Sequence, residues 1–174
     1  MNGMEGKKIL VGLLSCLVLI DCGYYLRGTG SSLPGHIKKI EVPMFKNMTT
    51  RFDLDVTLTQ GVVDELLSRG KVEVTSDSGT ADALLIGEIN AFNVIPIAFT
   101  DQSTADRYTI TVVAKIILRD LTNQKIIFSN PSFVYQEEYE VPQGTSFETW
   151  ESQAISKVAE KFASSLVSTL LEGF

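Results

Sequence analysis

The chain has 174 residues, with 15 basic and 21 acidic side chains and a formal net charge of −6 at pH 7. This acidic balance excludes the basic stripe that nucleic-acid binding requires. There is a single histidine, and neither of the two cysteines lies beyond residue 22, so we expect no disulfide, thiol nucleophile, metal or cofactor in the remainder.

The first 21 residues have the pattern of an export signal. Lys7 and Lys8 precede an apolar run over residues 9–20, which is too short to cross a bilayer as a helix. The run ends at Asp21 and Cys22. We therefore predict a lipoprotein signal peptide over residues 1–21, acylation of Cys22, and a lipidated, flexible spacer over residues 22–35.

Two alternatives to acylation at Cys22 stay open. Asp21 departs from the small residue that lipoprotein signal peptidase prefers before the cysteine, whereas Cys16 follows Ser15 but has a shorter apolar run before it. The leader could also stay uncleaved as a membrane tether. All three possibilities predict a protein outside the cytoplasm, and Gly23 in place of aspartate after Cys22 favours the outer membrane.

The first half of the remaining chain predicts a strand, a helix and a second strand. Residues 37–42 form the first strand, residues 44–50 a loop and residues 71–75 the second strand. Thr49 or Thr50 is expected to cap a helix over residues 51–69 that ends at Gly70. Its expected apolar stripe consists of Phe52, Val56, Val63 and Leu66 or Leu67.

The second half predicts an antiparallel ribbon followed by a long helix. Residues 83–89 form a strand, and residues 94–99 are either its extension or a returning strand, although Pro96 argues against a central position there. Residues 108–119 alternate most clearly, with apolar even positions. A loop over residues 120–124 leads to a segment at 125–129 that pairs back, then to a turn or bulge at Asn130 and Pro131, and then to residues 133–141, which continue the ribbon. The last helix has capping-box spacing at Thr145 and Glu148, ends near Gly173, and carries an apolar stripe of Ala154, Ile155, Val158, Ala159, Phe162, Leu166 and Leu170.

These elements predict a single α+β domain over residues 36–174. Two amphipathic helices and a largely antiparallel sheet of about four strands imply that the helices pack on one face of the sheet. The expected architecture is a two-layer sandwich.

The sequence resembles the LptE family of lipopolysaccharide-assembly lipoproteins along essentially its whole length. The resemblance rests on the segments CGYYLRG, KKIEVPMFKN followed by TLTQGVVDELLSRGKVEV, ADALLIGEI, YTITVVAKIILRDLTNQKIIFSNPSFVYQEEY and SLVSTLLEGF. It implies two helices on a four-stranded sheet. It also implies a lipid-anchored protein on the periplasmic face of the outer membrane that plugs an LptD-type β-barrel, helps the barrel to fold, and delivers lipopolysaccharide to the outer leaflet.

Two other classes of protein are possible. The strand and helix order also resembles the CsgG and LpoB group of secretion-pore and cell-wall-synthase-activator lipoproteins, but without their extra helices or pore-forming hairpin. A soluble periplasmic lipid carrier would need a larger hollow sheet than these short elements provide.

An enzyme is not expected. The sequence lacks GxSxG, HExxH and a glycine-rich phosphate loop after a strand. His36 is interpreted as a solvated loop residue, and Trp150 as a cover for the edge of the core. The helix acids Asp53, Asp55, Asp64 and Glu65 are interpreted as a solvated face.

Three cations share the solvated face of the best strand: Arg107, Lys115 and Arg119. They could bind lipopolysaccharide phosphates or carboxylates on the barrel wall. The alternative is an ordinary solvated face whose charges are balanced by acids on neighbouring strands. The family's own lipid-contacting residues are not transferred to these positions, because no local motif fixes the alignment.

Overall fold

The computed structural model describes residues 33–99, 105–141 and 147–172, all of which belong to the unit Ser31–Phe174. The strands are β1 (Lys39–Glu41), β2 (Lys46–Asn47), β3 (Glu73–Thr75), β4 (Ala83–Phe99), β5 (Ala105–Asp120) and β6 (Lys125–Glu140). The helices are α1 (Leu54–Arg69) and α2 (Phe147–Glu172). Both predicted acylation sites, Cys22 and Cys16, lie outside the described residues.

One mixed sheet contains all six of these strands, in the order β3-β1-β4-β5-β6 with β2 paired to β4. The β1–β3, β1–β4 and β2–β4 pairs are parallel, while β4–β5 and β5–β6 are antiparallel. The prediction of about four largely antiparallel strands was therefore wrong for the first half of the domain. Because α1 crosses over between β1 and β3, the chain returns to the same end of the sheet, and the strands pair in parallel.

The two-layer arrangement and the prediction of helices on one face are confirmed by the core. Even positions of β5, such as Val112 and Ile116, are fully buried, while the odd positions Val113 and Ile117 are partly exposed. Buried residues of both helices join the even face of β5 in one hydrophobic cluster. The odd face of the sheet has no helix over it among the described residues.

Helix α1 differs from its prediction in its start, its cap and its buried face. It begins at Leu54, after Asp53, which has φ of 60° and makes no side-chain capping bond. Its buried residues are Leu54, Leu58, Thr59, Val62 and Leu66. The predicted stripe instead lies largely in solvent, with Phe52 89% exposed, Val56 50% and Leu67 53%.

The segment between β1 and α1 is more ordered than a loop. Lys46 and Asn47 form β2, which pairs with Glu88 and Ile89 of β4. Phe45 is 1% exposed, and its backbone N–H donates to Thr59 Oγ1 at 2.9 Å. Its ring lies against Gly87, where a Cβ atom would come within 2.5 Å of the ring. A side chain at residue 87 would therefore displace Phe45.

The ribbon and the last helix agree with their predictions. The register of β5 and β6 shifts opposite residues 130–133, at the predicted turn or bulge of Asn130 and Pro131. Pro96 lies in the part of β4 that pairs with β5 alone among the described strands. In α2 the predicted stripe is buried, apart from the partly buried Ile155. Thr145, the side chain of Glu148 and Gly173 lie outside the described residues.

Candidate functional site

The structure places the three predicted cations on the face of β5 opposite the helices. Arg107 and Lys115 are exposed and Arg119 is half-buried. At about 3.3 Å per residue, Lys115 lies roughly 26 Å from Arg107 and roughly 13 Å from Arg119 along the strand. Lys115 and Arg119 can therefore reach one ligand together, but Arg107 belongs to the other end of the sheet.

Acids on neighbouring strands share this face with the cations. The Arg107 guanidinium donates to Glu140 Oε1 at 3.1 Å, and this hydrogen bond raises the pKa of Arg107 above its usual value. Lys115 stands opposite Glu88 in the β4–β5 register. Arg119 has Leu84 and Ile126 as its cross-strand neighbours. Among the described residues, Arg119 is thus the cation of the three with no acid directly opposite.

Apolar rows cross the same face between the charges. Val113 stands between Ala91 on β4 and Val134 on β6, and Ile86 stands opposite Ile117. Val134 is 55% exposed and Ile86 36%. This face of the sheet therefore carries exposed apolar side chains as well as charges.

His36 belongs to a polar network at the start of the domain. Its Nε2 atom lies 2.7 Å from Asp120 Oδ2, and Asp120 also accepts hydrogen bonds from Thr122 and Asn123. Burial by itself would raise the pKa of Asp120, but these hydrogen bonds outweigh it and lower the pKa to about 2. The network fastens the start of the domain to the β5–β6 hairpin.

Asp82 completes the attachment of β1. Its Oδ2 atom accepts the backbone N–H groups of Lys38 and Lys39, both at 2.9 Å, and these bonds lower the pKa of the carboxyl. The arrangement holds the first strand in place by backbone hydrogen bonds. The amino-acid sequence alone does not indicate these hydrogen bonds, because Asp82 and Lys38 are far apart in the chain.

The acids of α1 do not converge on one point. Asp64 accepts a hydrogen bond from Gln60, and Glu65 forms an ion pair with Arg69. Within residues 33–99, 105–141 and 147–172, no three histidine, cysteine or acidic side chains are grouped as metal ligands. In the same ranges, neither helix is long and apolar enough to cross a membrane.

Two clefts border helix α2. A cleft of about 640 Å³ is lined by residues of α1 and α2, most of them polar, together with Val56, Gly61 and Ala159. A cleft of about 470 Å³ lies beside Trp150, whose ring centroid is 5.7 Å from that of Tyr139. Trp150 is partly buried against the core, as predicted. Lys161 forms an ion pair with Glu137 across the second cleft, so that cleft is already partly occupied by the protein's own charges.

Comparison with known proteins identifies a family whose model matches this chain. Residues 37–170 match the family model described as LptE, lipopolysaccharide-assembly. Comparison with curated protein sequences finds no match.

Several solved structures share the fold at low sequence identity. A hypothetical protein, CT253, from Chlamydia trachomatis is 10% identical, with a TM-score of 0.54 over 79% of this chain and 97% of that chain. A PelC variant from Paraburkholderia phytofirmans, a dodecamer, is 16% identical, with a TM-score of 0.50 over 77% of this chain and 89% of that chain. At these identities the likeness shows the fold alone.

Proposed function

The chain belongs to the LptE family of lipopolysaccharide-assembly proteins, and from that premise we propose that it is the lipoprotein subunit of an LptD-type export barrel in the outer membrane. In this role it supports folding of the barrel and delivery of lipopolysaccharide to the outer leaflet. The observation that carries the proposal is the family match, which extends over residues 37–170 and so includes nearly every described element.

The sheet face opposite the helices, which we call the open face, supports a role inside a barrel. A plug must present hydrogen-bonding and charged groups to a polar lumen, because the interior of large outer-membrane barrels is polar. Cross-strand pairs such as Arg107 with Glu140 and Lys115 with Glu88 provide such groups on β4, β5 and β6. The helices bury the other face. One sheet face therefore remains available for contact without exposing the core.

The predicted lipid anchor supports attachment to the outer membrane. The sequence predicts a spacer over residues 22–35 between the acylated cysteine and the domain. Several acyl chains anchor strongly, because each buried CH2 contributes about 0.8 kcal/mol. We propose a binding role without catalysis for this protein.

The proposal is tested by affinity purification of the full-length protein from outer membranes in mild detergent. Recovery of a stoichiometric LptD-type barrel is the expected result. Recovery of homo-oligomeric rings or of peptidoglycan synthases, with no barrel, would contradict it and would favour the CsgG and LpoB class.

Direct binding of lipopolysaccharide by this chain is the second part of the proposal. Lys115 and Arg119 are within reach of one ligand, and Arg119 has no acid opposite it among the described strands. Hydrogen bonds between charged groups contribute about 1.5–3 kcal/mol each. We therefore expect Lys115→Ala with Arg119→Ala to weaken lipopolysaccharide binding by roughly tenfold or more at low salt, where screening is weak.

Arg107→Ala is the matched control for lipopolysaccharide binding, because it removes a cation that Glu140 already pairs. It should weaken binding less than the double substitution does. All variants should melt near the parental temperature, since these side chains lie outside the core. Unchanged binding by the double variant at low salt would show that the three cations form an ordinary solvated face.

A further inference from the structure

Strand β6 forms one edge of the sheet. Its backbone pairs with β5 on one side, and no described strand pairs with its other side. An edge strand presents a row of backbone N–H and C=O groups that have no partner in the sheet. Such a row can accept the backbone of another chain, as in recognition by β-strand addition.

The second half of β6 is the regular part of this edge. Its pairing with β5 is unbroken over the seven residues 134–140, and we call this segment the β6 edge. Earlier in the strand, Pro131 has no backbone N–H. The Ser132 backbone N–H donates to the Asn130 side chain at 2.9 Å, and the register with β5 shifts at these residues. An added strand would therefore pair with the β6 edge and not with the first half of β6.

The hydrogen bonds to β5 show which backbone groups of the β6 edge point outward. The Val141 backbone N–H donates to the Asp106 carbonyl at 2.8 Å, one position beyond the pair of Glu140 with Arg107. Hydrogen-bonded pairs recur at every second residue of an antiparallel ladder, so the odd residues of the β6 edge bond to β5. The N–H and C=O groups that point away from β5 belong to Val134, Gln136, Glu138 and Glu140. Within the described part of the chain, no backbone hydrogen bond uses these outward groups.

A second open stretch of the sheet is blunted. Beyond Ile89, β4 pairs with β5 alone among the described strands. This stretch contains Pro96, and its register with β5 shifts twice between Pro96 and Phe99. Prolines and bulges are devices by which natural sheet edges avoid pairing with other chains. The β6 edge has neither, and it is therefore the stretch suited to an added strand.

A cleft of about 470 Å³ lies beside the β6 edge on the side of the helices. Its lining consists of residues 137–140 of β6 and, from α2, Trp150, Lys157, Glu160 and Lys161. The rings of Trp150 and Tyr139 are in contact, with centroids 5.7 Å apart, and Lys161 forms an ion pair with Glu137. Successive side chains of a strand point to opposite faces of its sheet. Every second side chain of an added strand would therefore face this cleft.

The charges beside the β6 edge favour basic side chains on the added strand. Four glutamates and two lysines line the cleft. Lys161 is paired with Glu137, and Lys157 Nζ lies 5.5 Å from the centroid of the Trp150 ring. Glu160 on the helix side forms no ion pair with any described residue, and the same holds for Glu138 on the open face. An added strand would thus meet an available carboxylate on each of its two faces.

A second copy of this chain does not fit the β6 edge. The segment carries Glu137, Glu138 and Glu140 and has no lysine or arginine. Pairing two such edges would bring carboxylates together, and like charges directly opposite each other destabilise a sheet. The charges therefore favour a different chain with lysine or arginine side chains.

We propose that the β6 edge binds an extended, basic segment of the partner protein as an additional strand of the sheet. The outward backbone groups of residues 134–140 bind the backbone of that segment, and Glu138 and Glu160 bind its lysine or arginine side chains through charge-assisted hydrogen bonds. The inference rests on the proposed function, in which the partner is the LptD-type barrel protein, and it adds the way in which the two proteins dock.

Hydrogen exchange of the full-length protein, alone and in its purified complex with the barrel, tests the added strand directly. In the protein alone, the outward amides of Gln136 and Glu138 should exchange quickly, while those of Tyr135 and Glu137, which bond to β5, should exchange slowly. In the complex, exchange of the outward amides should slow by about tenfold or more. Docking through side chains alone would leave the outward amides unprotected.

A proline substitution tests the same contact in native outer membranes. Gln136→Pro removes one outward N–H and spares the bonds to β5, since an edge strand tolerates proline where its N–H faces solvent. Gln136→Ala is the matched control, because it removes the same side chain and keeps the N–H. We expect recovery of the barrel to fall by about tenfold or more for the proline variant and to stay within about twofold for the alanine variant. If the proline variant does not fold, hydrogen exchange of the parental complex decides.

The basic character of the added segment has its own test. Glu138→Gln with Glu160→Gln removes both available carboxylates and should reduce recovery of the barrel by about threefold or more at low salt. Recovery equal to that of the parent would show that the segment is not held by these acids.

The outcomes separate the docking inference from the proposed function. If the parent recovers the barrel but its outward amides stay unprotected, or if Gln136→Pro recovers as much barrel as Gln136→Ala, the docking inference is wrong while the proposed function stands. If the parent recovers no barrel, the proposed function fails and the inference fails with it. Protection of the outward amides in a homodimer without the barrel would overturn the inference in favour of a second copy.

Discussion

Replacement of Gly87 by alanine should destabilise the domain through one contact. A Cβ atom at residue 87 would lie 2.5–2.6 Å from three ring carbons of Phe45. Carbon atoms in favourable contact are about 3.5–4.0 Å apart, so the ring would have to move by roughly 1 Å. Phe45 is 1% exposed, and a close-packed core leaves little room for that movement.

The expected loss of stability in Gly87→Ala comes from overpacking of the core. One extra methyl group in a well-packed core typically costs about 1–3 kcal/mol. For a domain of this size, each kcal/mol lowers the melting temperature by about 2–4 °C. Gly87→Ala should therefore lower the melting temperature by roughly 2–12 °C, measured by circular dichroism or calorimetry.

Two comparisons isolate the Phe45 contact. Gly35→Ala should leave the melting temperature unchanged, because nothing lies within 4 Å of its added Cβ atom. Phe45→Ala removes the three ring carbons that the added Cβ atom would meet, so it should cost less in the Gly87→Ala background than in the parent. A parental melting temperature for Gly87→Ala, or strictly additive costs in the double variant, would refute the proposed overlap between residue 87 and the Phe45 ring.

Three further predictions concern the strand faces, the buried acid and the anchor. Val112→Asp should unfold the domain, since an unpaired buried charge costs several kcal/mol, while Val113→Asp should fold; equal melting temperatures would contradict the burial of Val112 and the exposure of Val113. Because the pKa of Asp120 is lowered to about 2, its stabilisation is complete above about pH 4 and is lost as pH falls toward 2. The melting temperature of Asp120→Asn should therefore depend less on pH in that window than the parent's does. If the melting temperatures of the two proteins fall equally as the pH is lowered, this prediction is wrong. Mass spectrometry of the mature protein should find acyl groups on Cys22, and acylation of Cys16 would refute that site.

Local periodicity was sufficient to predict which side chains are buried wherever one face of an element is apolar throughout. In β5 the even positions are all apolar, and a period of two fixes which side of a strand each residue occupies. The structure accordingly buries Ile110, Val112 and Ala114 together. The same holds for α2, whose single apolar stripe leaves one way to dock it against the sheet.

Tertiary structure decided the orientation of α1, because its sequence carries two apolar rows. One row contains Leu54, Leu58, Val62 and Leu66, and the other contains Phe52, Val56, Val63 and Leu67. The rows lie roughly a third of a turn apart on the helix. Helical spacing alone is compatible with burial of either row. Docking against β2, β3 and α2 selects the first and leaves most of the second in solvent.

The candidate site was predictable only in part, for the same reason. Alternation within β5 identified the cations of its solvated face, whereas the acids that stand opposite Lys115 and Arg107, Glu88 and Glu140, come from β4 and β6. Which residues stand opposite each other depends on strand register, which is a long-range property of the folded sheet. The sequence by itself therefore determined the family, the two layers and the inward face of β5. Only the tertiary structure determined the parallel pairing of the short strands and the charge pairs of the face opposite the helices, because both depend on contacts between residues far apart in the chain.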